Sequence, residues 1–326
     1  MLLCVPEVKQ MIAAGKCLFL AGSATALSQL PTGNWIGGSI PYFMGAEGGV
    51  HSESQIFVTE VPHYATGVTI REYTSESLSE LYRDAPANGF TFLLIPNGSP
   101  FLQTFARDAS ECDGFLIKPM IGWVTGTQLS DIGQKKAIIV DGRSQVTSSQ
   151  SALAMHVTLP TAQFADVEIV NIFKPGSGDA LTFPKSGFET IDCFVNDKPA
   201  KFSEYIASRK INTQLPLTAN YCGSVLNVSV QSVDLEAGTV HLYAPVFRGI
   251  KYYFAEPVGD YAQAFAAAIP NDDEQPIFSC NCILNYVYGK LEGHRTGQVT
   301  GPITFGEIAH QLLNQTMVQL KIRNAA

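Results

Sequence analysis

The side chains best suited to chemistry are concentrated in the last fifth of the chain, Pro276 to Leu320. Two thiols stand one residue apart at Cys280 and Cys282. Amides occur at Asn281, Asn285 and Asn314, an imidazole at His294, and a hydroxyl–carboxylate pair at Thr304 and Glu307. Cys280 precedes a helix-like segment, and a helix N-terminus can lower a thiol pKa enough to make a nucleophile. His294 could approach it through the following loop. Against this stands the plainer reading of Cys280 as a small residue buried at a strand end, which free cysteines commonly are. Cys280, Cys282 and His294 would also give three soft metal ligands, but the second spaced pair of a zinc site is missing. His51, His63, His156, His241 and His310 are scattered, and no G-x-S-x-G nucleophile elbow is present.

Thr304-Phe-Gly-Glu307 has capping-box spacing, which predicts a helix with Thr304 at its N-cap and Glu307 at its third position. In the functional alternative, Glu307 and the free N–H groups of that helix face a ligand together. The N–H groups favour an anion and the carboxylate a cation, a combination that suits a zwitterion such as an amino acid. Asn281, Asn285 and Asn314 could fix such a ligand by hydrogen bonds or serve as turn and cap residues, Asn314 at a helix end. Trp35, with Tyr42 and Phe43, sits in the Gly-rich stretch Ser28–Gly49. It could line a pocket or pack in a turn region.

The rest of the chain must position these groups. Its 326 residues suggest two domains. Only 15% are charged, against a usual quarter, so a large buried surface is expected between domains or between subunits of a homo-oligomer. The net charge of -8 and the absence of a basic cluster longer than Lys135-Lys136 argue against nucleic acid. No stretch reaches membrane-spanning length. Lys16 and the run CLFLAGSATA loosely resemble a secretory signal, but Glu7 and Lys9 precede them. A helix over Pro6–Ala14 feeding a buried strand over Cys17–Ala21 is the preferred reading. Seven cysteines without a C-x-x-C pair indicate a reducing, cytoplasmic setting.

Periodicity predicts strands over Ser54–Glu60 and Gly67–Tyr73, paired as a hairpin, and a short helix over Ser77–Asp84. Strands follow over Phe90–Ile95, Gly114–Met120, Lys136–Asp141, Ser151–Pro160 and Asp166–Phe173. Ser99-Pro100 caps a helix. Lys174–Gly187 reads as a transition between halves. The second half is expected to hold a strand over Thr190–Val195 and a helix over Ala200–Ser208. Gly223–Val233 and Gly238–Phe247 should pair, followed by a strand over Ile250–Ala255 and a helix capped by Asp260. The fold class is α+β, with two strand-rich modules and a few short helices packed on the sheets.

Phe278-Ser279-Cys280, Gly289, Glu292, Gly301–Glu307 (GPITFGE) and Asn314-Gln-Thr316 resemble the C-terminal module of the FIST (F-box and intracellular signal transduction) family. Val195–Tyr205 and Gly249–Tyr261 resemble earlier parts of that module. Trp35-Ile-Gly-Gly38, Phe90–Pro96, Gly122 and Lys136–Pro160 follow the N-terminal module more loosely. The Arg that this family carries shortly after the cysteine is absent, since Asn281-Cys282 follows Cys280. The resemblance implies modules over 1–190 and 191–326. It implies a stand-alone sensory protein that holds a small, amino acid-like ligand in a cleft between them and reports to a signalling partner. The expected ligand-binding residues are Trp35, Cys280, Asn281, Asn285, Thr304, Glu307 and Asn314. No cofactor is expected. A haem-based gas sensor, as in some family members, or a hydrolase using Cys280 or Glu307 are the alternatives.

Overall fold

A computed structural model describes residues 1–221, 224–270 and 274–325. The fold is α+β. Uniformly apolar runs such as Gly89–Pro96 become fully buried strands, as expected for chain covered on both faces. Short capped runs become helices. The Ser99 hydroxyl accepts from the Leu102 N–H at 3.1 Å to start Pro100–Asp108, and Asp260 accepts from Gln263 N–H at 3.0 Å to start Tyr261–Ala268. The expected helix and strand near the N-terminus form as Val5–Ala13 and Leu18–Gly22.

Three six-stranded sheets form the larger part of the molecule. One contains Leu18–Gly22 between Gln55–Glu60 and the parallel Trp35–Ser39. The second has Gly89–Pro96 at its centre, parallel to Met120–Thr125 and antiparallel to Ala152–Thr158. The third runs from Gln163–Val170 through Met317–Asn324, Phe278–Cys282, Gly301–Thr304 and Tyr42–Gly45 to Gly48–His51. Their facing sides meet at an aromatic cluster with one or more members from each. Phe19 stacks on Phe92 with ring centroids 4.0 Å apart, and Trp123 stacks on Phe278 at 5.7 Å.

The chain from Leu181 to Phe254 makes sheets of its own, one of six strands and one of three. Their core holds Phe183, Phe202, Leu217, Val240 and Tyr252. The 190/191 position lies inside this unit, between strands Gly187–Thr190 and Asp192–Val195. The last fifth of the chain then returns to complete the sheets begun by the first 170 residues.

Several local expectations give way to long-range pairing. Gln55–Glu60 and Gly67–Tyr73 are strands but not a hairpin. The first already has Leu2–Cys4 and Leu18–Gly22 on its two edges, so the second pairs with Ala152–Thr158 in another sheet. Gly114–Lys118 is a turn, closed by Ile117 and Lys118 N–H bonds to the Gly114 carbonyl. The strand expected there begins at Met120. Gly238, at φ +73, turns Val230–Asp234 into Thr239–Val246 as expected, whereas Gly223 lies outside the described residues.

The helix expected from Thr304 does not form. Gly301–Thr304 and Glu307–Ala309 are strands of two different sheets, and the second pairs with Met120–Thr125 with Glu307 opposite Trp123. The chain turns through His310 at φ +60 into Gln311–Leu313. Gly306, at φ +155, makes the corner between the sheets. Ile303, Ile308 and Leu313 are buried by this path, and that burial outweighs the local capping signal. Asn314 therefore stands in the connection between two strands and not at a helix end.

Candidate functional site

Five of the seven expected residues meet in one buried polar knot. Phe278–Cys282 carries Cys280 and Asn281, and the helix Ile283–Tyr288 that continues it carries Asn285. Asn281 Oδ1 accepts from the Cys282 N–H at 2.7 Å and from Asn285 Nδ2 at 2.9 Å. Asn285 Nδ2 also reaches the Thr316 carbonyl at 3.3 Å. The Thr304 hydroxyl bonds the Gly306 carbonyl at 3.1 Å. Glu307 comes from the adjoining strand, and its Oε2 accepts from the Thr316 N–H at 3.1 Å and the Thr316 hydroxyl at 2.7 Å.

Glu307 is fully buried, and among the described residues its Oε1 has no hydrogen-bond partner. Burial pushes its carboxyl from the ordinary 4.5 up to about 8, partly offset by the Thr316 bonds and by the nearby Cys282 thiol. The group is therefore mainly a neutral acid at pH 7. Burial also pushes the Cys280 and Cys282 thiols well above 9, and the Glu307 carboxyl adds to the effect. Cys280 donates to the Gly122 carbonyl at 3.5 Å. These are protonated thiols held inside a sheet, the opposite of the electropositive, exposed setting that activates a nucleophile. A void of about 10 Å³ beside Cys280, Asn281 and Thr296 has room for one water at most.

The large cavity lies next to the knot. A chamber of about 710 Å³ is bounded by Asn97-Gly98 and Leu102 on one side, Phe188 and Tyr243 of the 181–254 unit on another, and Ile283, Tyr288, Phe305 and Asn314 on a third. Of the expected site residues, Asn314 alone lines it. That side chain is 1% exposed. Its Nδ2 donates to the Leu313 carbonyl at 2.9 Å, and its Oδ1, itself shut off from solvent, has no partner among the described residues. The connection bearing Asn314 is tied down on every side. Asn227 Nδ2 donates to the Asn314 and Gln315 carbonyls, both at 3.2 Å, and the Ser229 hydroxyl donates to Gln315 Oε1 at 2.8 Å. Thr316 is fixed by Glu307. The knot is thus the support of the chamber floor, with Glu307 one residue pair removed from the cavity.

The chamber also stands at the carboxyl end of Gly89–Pro96, which exits into Asn97-Gly98, the position where open sheets present ligand sites. The residue types that close it, Phe188, Tyr243, Tyr288 and Phe305, come from separate segments and carry no joint sequence signal. The one local hint was Asn97-Gly98 between a buried strand and a capped helix.

Trp35 is elsewhere. It is fully buried against Gly142 beneath the Val5–Ala13 helix, with Nε1 bonded to the Pro31 carbonyl at 2.9 Å. Phe43 is in the central core, and the Tyr42 hydroxyl accepts from the Leu129 N–H at 3.0 Å, holding a loop at the chamber edge. His294 is exposed and makes no metal cluster with the cysteines. Among the described residues no group of three or more His, Cys, Asp and Glu could hold a metal ion.

A family profile matches residues 3–323, and therefore both knot and chamber. Its description is a family of unknown function (DUF6976). The chain belongs to this family. No curated protein matches it. In this DUF6976 chain, among the described residues, no helix is long and apolar enough to cross a membrane.

Proposed function

We propose that the protein binds a small molecule in the 710 Å³ chamber and acts as a sensor rather than through covalent chemistry at Cys280 or Glu307. The observation that carries this reading is the chamber itself, a cavity of ligand size walled mainly by aromatic and aliphatic side chains, among them Phe188, Tyr243, Tyr288 and Phe305. The FIST-like pattern of the last hundred residues supports a sensory role, with a signalling protein as reader of the bound state. Cys280 and Glu307 contribute as supports of the floor, since a substrate would have to reach side chains sealed within sheets.

The charge argument for an amino acid-like ligand, apart from the FIST resemblance, relied on a helix N-terminus at Thr304. With strands of two different sheets there, recognition falls to the chamber walls. Haem fits poorly: His241 is the one histidine among the lining residues, and it stands partly exposed with Nδ1 3.7 Å from Glu189.

The test is native mass spectrometry of the freshly purified protein together with thermal-shift screening of a broad metabolite panel. Tyr288→Ala and Asn314→Ala serve as site variants. The expected result is a ligand that raises the melting temperature of the parent protein and loses that effect in both variants. Stabilising ligands that ignore both substitutions would remove the chamber as the site.

A further inference from the structure

The chamber has a polar annex that the site described above does not use. A second cavity, of about 310 Å³, shares Asn97, Gly98 and Ile132 with the chamber and is otherwise lined by Gly126, Thr127, Gly133–Ala137, Ser149 and Gln150. The two spaces adjoin at these three residues and are chemically opposite. The chamber is walled mainly by aromatic and aliphatic side chains, and its one carboxylate among the lining residues is Glu189. The annex has no carboxylate among its lining residues and has two lysines, Lys135 and Lys136.

The annex is built on fixed backbone. Ser39 clamps both ends of the 126–138 loop. Its carbonyl accepts from the Gly126 N–H at 2.7 Å, and its hydroxyl donates to the Gly126 carbonyl at 2.8 Å and accepts from the Ile138 N–H at 2.9 Å. Phe305 lies so close to Gly126 that a Cβ there would meet its ring at 2.1 Å. The annex floor and the chamber wall are therefore one packed unit. Lys135 has an ion pair with Asp131 at 2.8 Å, whereas Lys136 has no ion-pair partner among the described residues. Both are exposed at the mouth of the annex.

We infer that the ligand is an amphipathic acid, with an apolar body in the chamber and a carboxylate or phosphate in the annex at Lys135 and Lys136. This rests on the chamber being a ligand site. The charge distribution fixes the orientation, because the acidic end is attracted by the lysines and repelled by Glu189 in the chamber. In a chain of net charge -8 the general field opposes anions, so such selectivity must come from this local pair. An amine of the same shape gains nothing in the annex.

The test uses a neutral solvatochromic dye as chamber probe and decanoate, decyl phosphate, decylamine and decanol as competitors. The parent protein is compared with Lys135→Gln/Lys136→Gln and with Val287→Trp, whose partly exposed parent side chain lines the chamber. The dye should bind the parent and the double lysine variant equally, and the Val287→Trp variant more weakly. Decanoate or decyl phosphate should displace it at about tenfold lower concentration than decylamine or decanol, and the double lysine variant should lose most of that advantage. The better of the two acids identifies the head group. Equal potency of acids, amine and alcohol, or unchanged acid potency in the double lysine variant, overturns the inference while leaving the chamber site intact. Failure of the dye to bind, or binding indifferent to Val287→Trp, overturns the chamber site itself.

Discussion

Glu307→Gln isolates the electrostatic cost of the buried knot. In the unfolded chain this carboxyl titrates near its ordinary 4.5, and in the fold near about 8. The fold thus favours the protonated form. The resulting stabilisation is complete below pH 4.5 and is lost as pH rises through 8. The gap corresponds to roughly 5 kcal/mol across that window, on the order of half of a typical domain's stability. Glutamine cannot titrate there. Its Oε1 can still accept from the Thr316 N–H and hydroxyl, but its amide N–H donors replace the unpartnered Oε1, at a pH-independent cost of about 1–3 kcal/mol. The informative quantity is therefore the change in the mutant–parent difference with pH. Urea unfolding at pH 5 and pH 8 should show the variant gaining roughly 4 kcal/mol on the parent between the two. Other titrating groups cancel in the difference. A difference constant within about 1 kcal/mol would show that Glu307 ionises normally, and the description of the knot as a neutral acid site would be wrong.

His156 should give the mirror-image behaviour. It is buried between the Tyr73 hydroxyl and the Thr91 hydroxyl, each at 2.8 Å, and burial lowers its pKa from 6.5 to about 4. The parent should lose about 3 kcal/mol as pH falls from 6.5 to 4, and His156→Gln should remove that slope in urea titrations. Among the described thiols, maleimide labelling followed by peptide mass spectrometry should modify Cys4 quickly, and Cys280 and Cys282 only on unfolding, because the latter two are sealed and protonated. Gly122→Ala should cost about 3 kcal/mol or more, measured by denaturant melts, since its Cβ would stand 1.8 Å from the Leu93 carbonyl of the neighbouring strand.

Local chemistry in the sequence identified what depends on neighbours along the chain. The serine before Pro100 and the aspartate before Tyr261 each capped the expected helix, and the apolar run Phe90–Ile95 became the expected strand. Pairing partners were not legible, because they depend on which edges are already filled. Gly67–Tyr73 could not be assigned to Ala152–Thr158 without knowing that Gln55–Glu60 had none free. The Thr304–Glu307 spacing fits a capping box, yet the open edge of Met120–Thr125 captured the segment as a strand. The same limit applied to the site. Cys280, Asn281, Asn285, Thr304 and Glu307 do converge, because three of them share one strand–helix unit, but they converge behind the cavity. The cavity walls come from segments far apart in the chain, and only the folded chain brings them together.

The return of the last fifth of the chain into the first sheets has a consequence for synthesis. Tyr42–Gly45 and Met120–Thr125 emerge from the ribosome early. Each leaves an edge that is filled only when Gly301–Thr304 and Glu307–Ala309 follow. The 181–254 unit, whose strands pair among themselves, can fold before that. A nascent chain would thus carry a finished 181–254 unit beside two open strand edges until Gly301–Ala309 has emerged. Open strand edges promote misassembly during such a wait. A chain that stops before Gly301 should therefore give an aggregating product rather than a shortened binding protein.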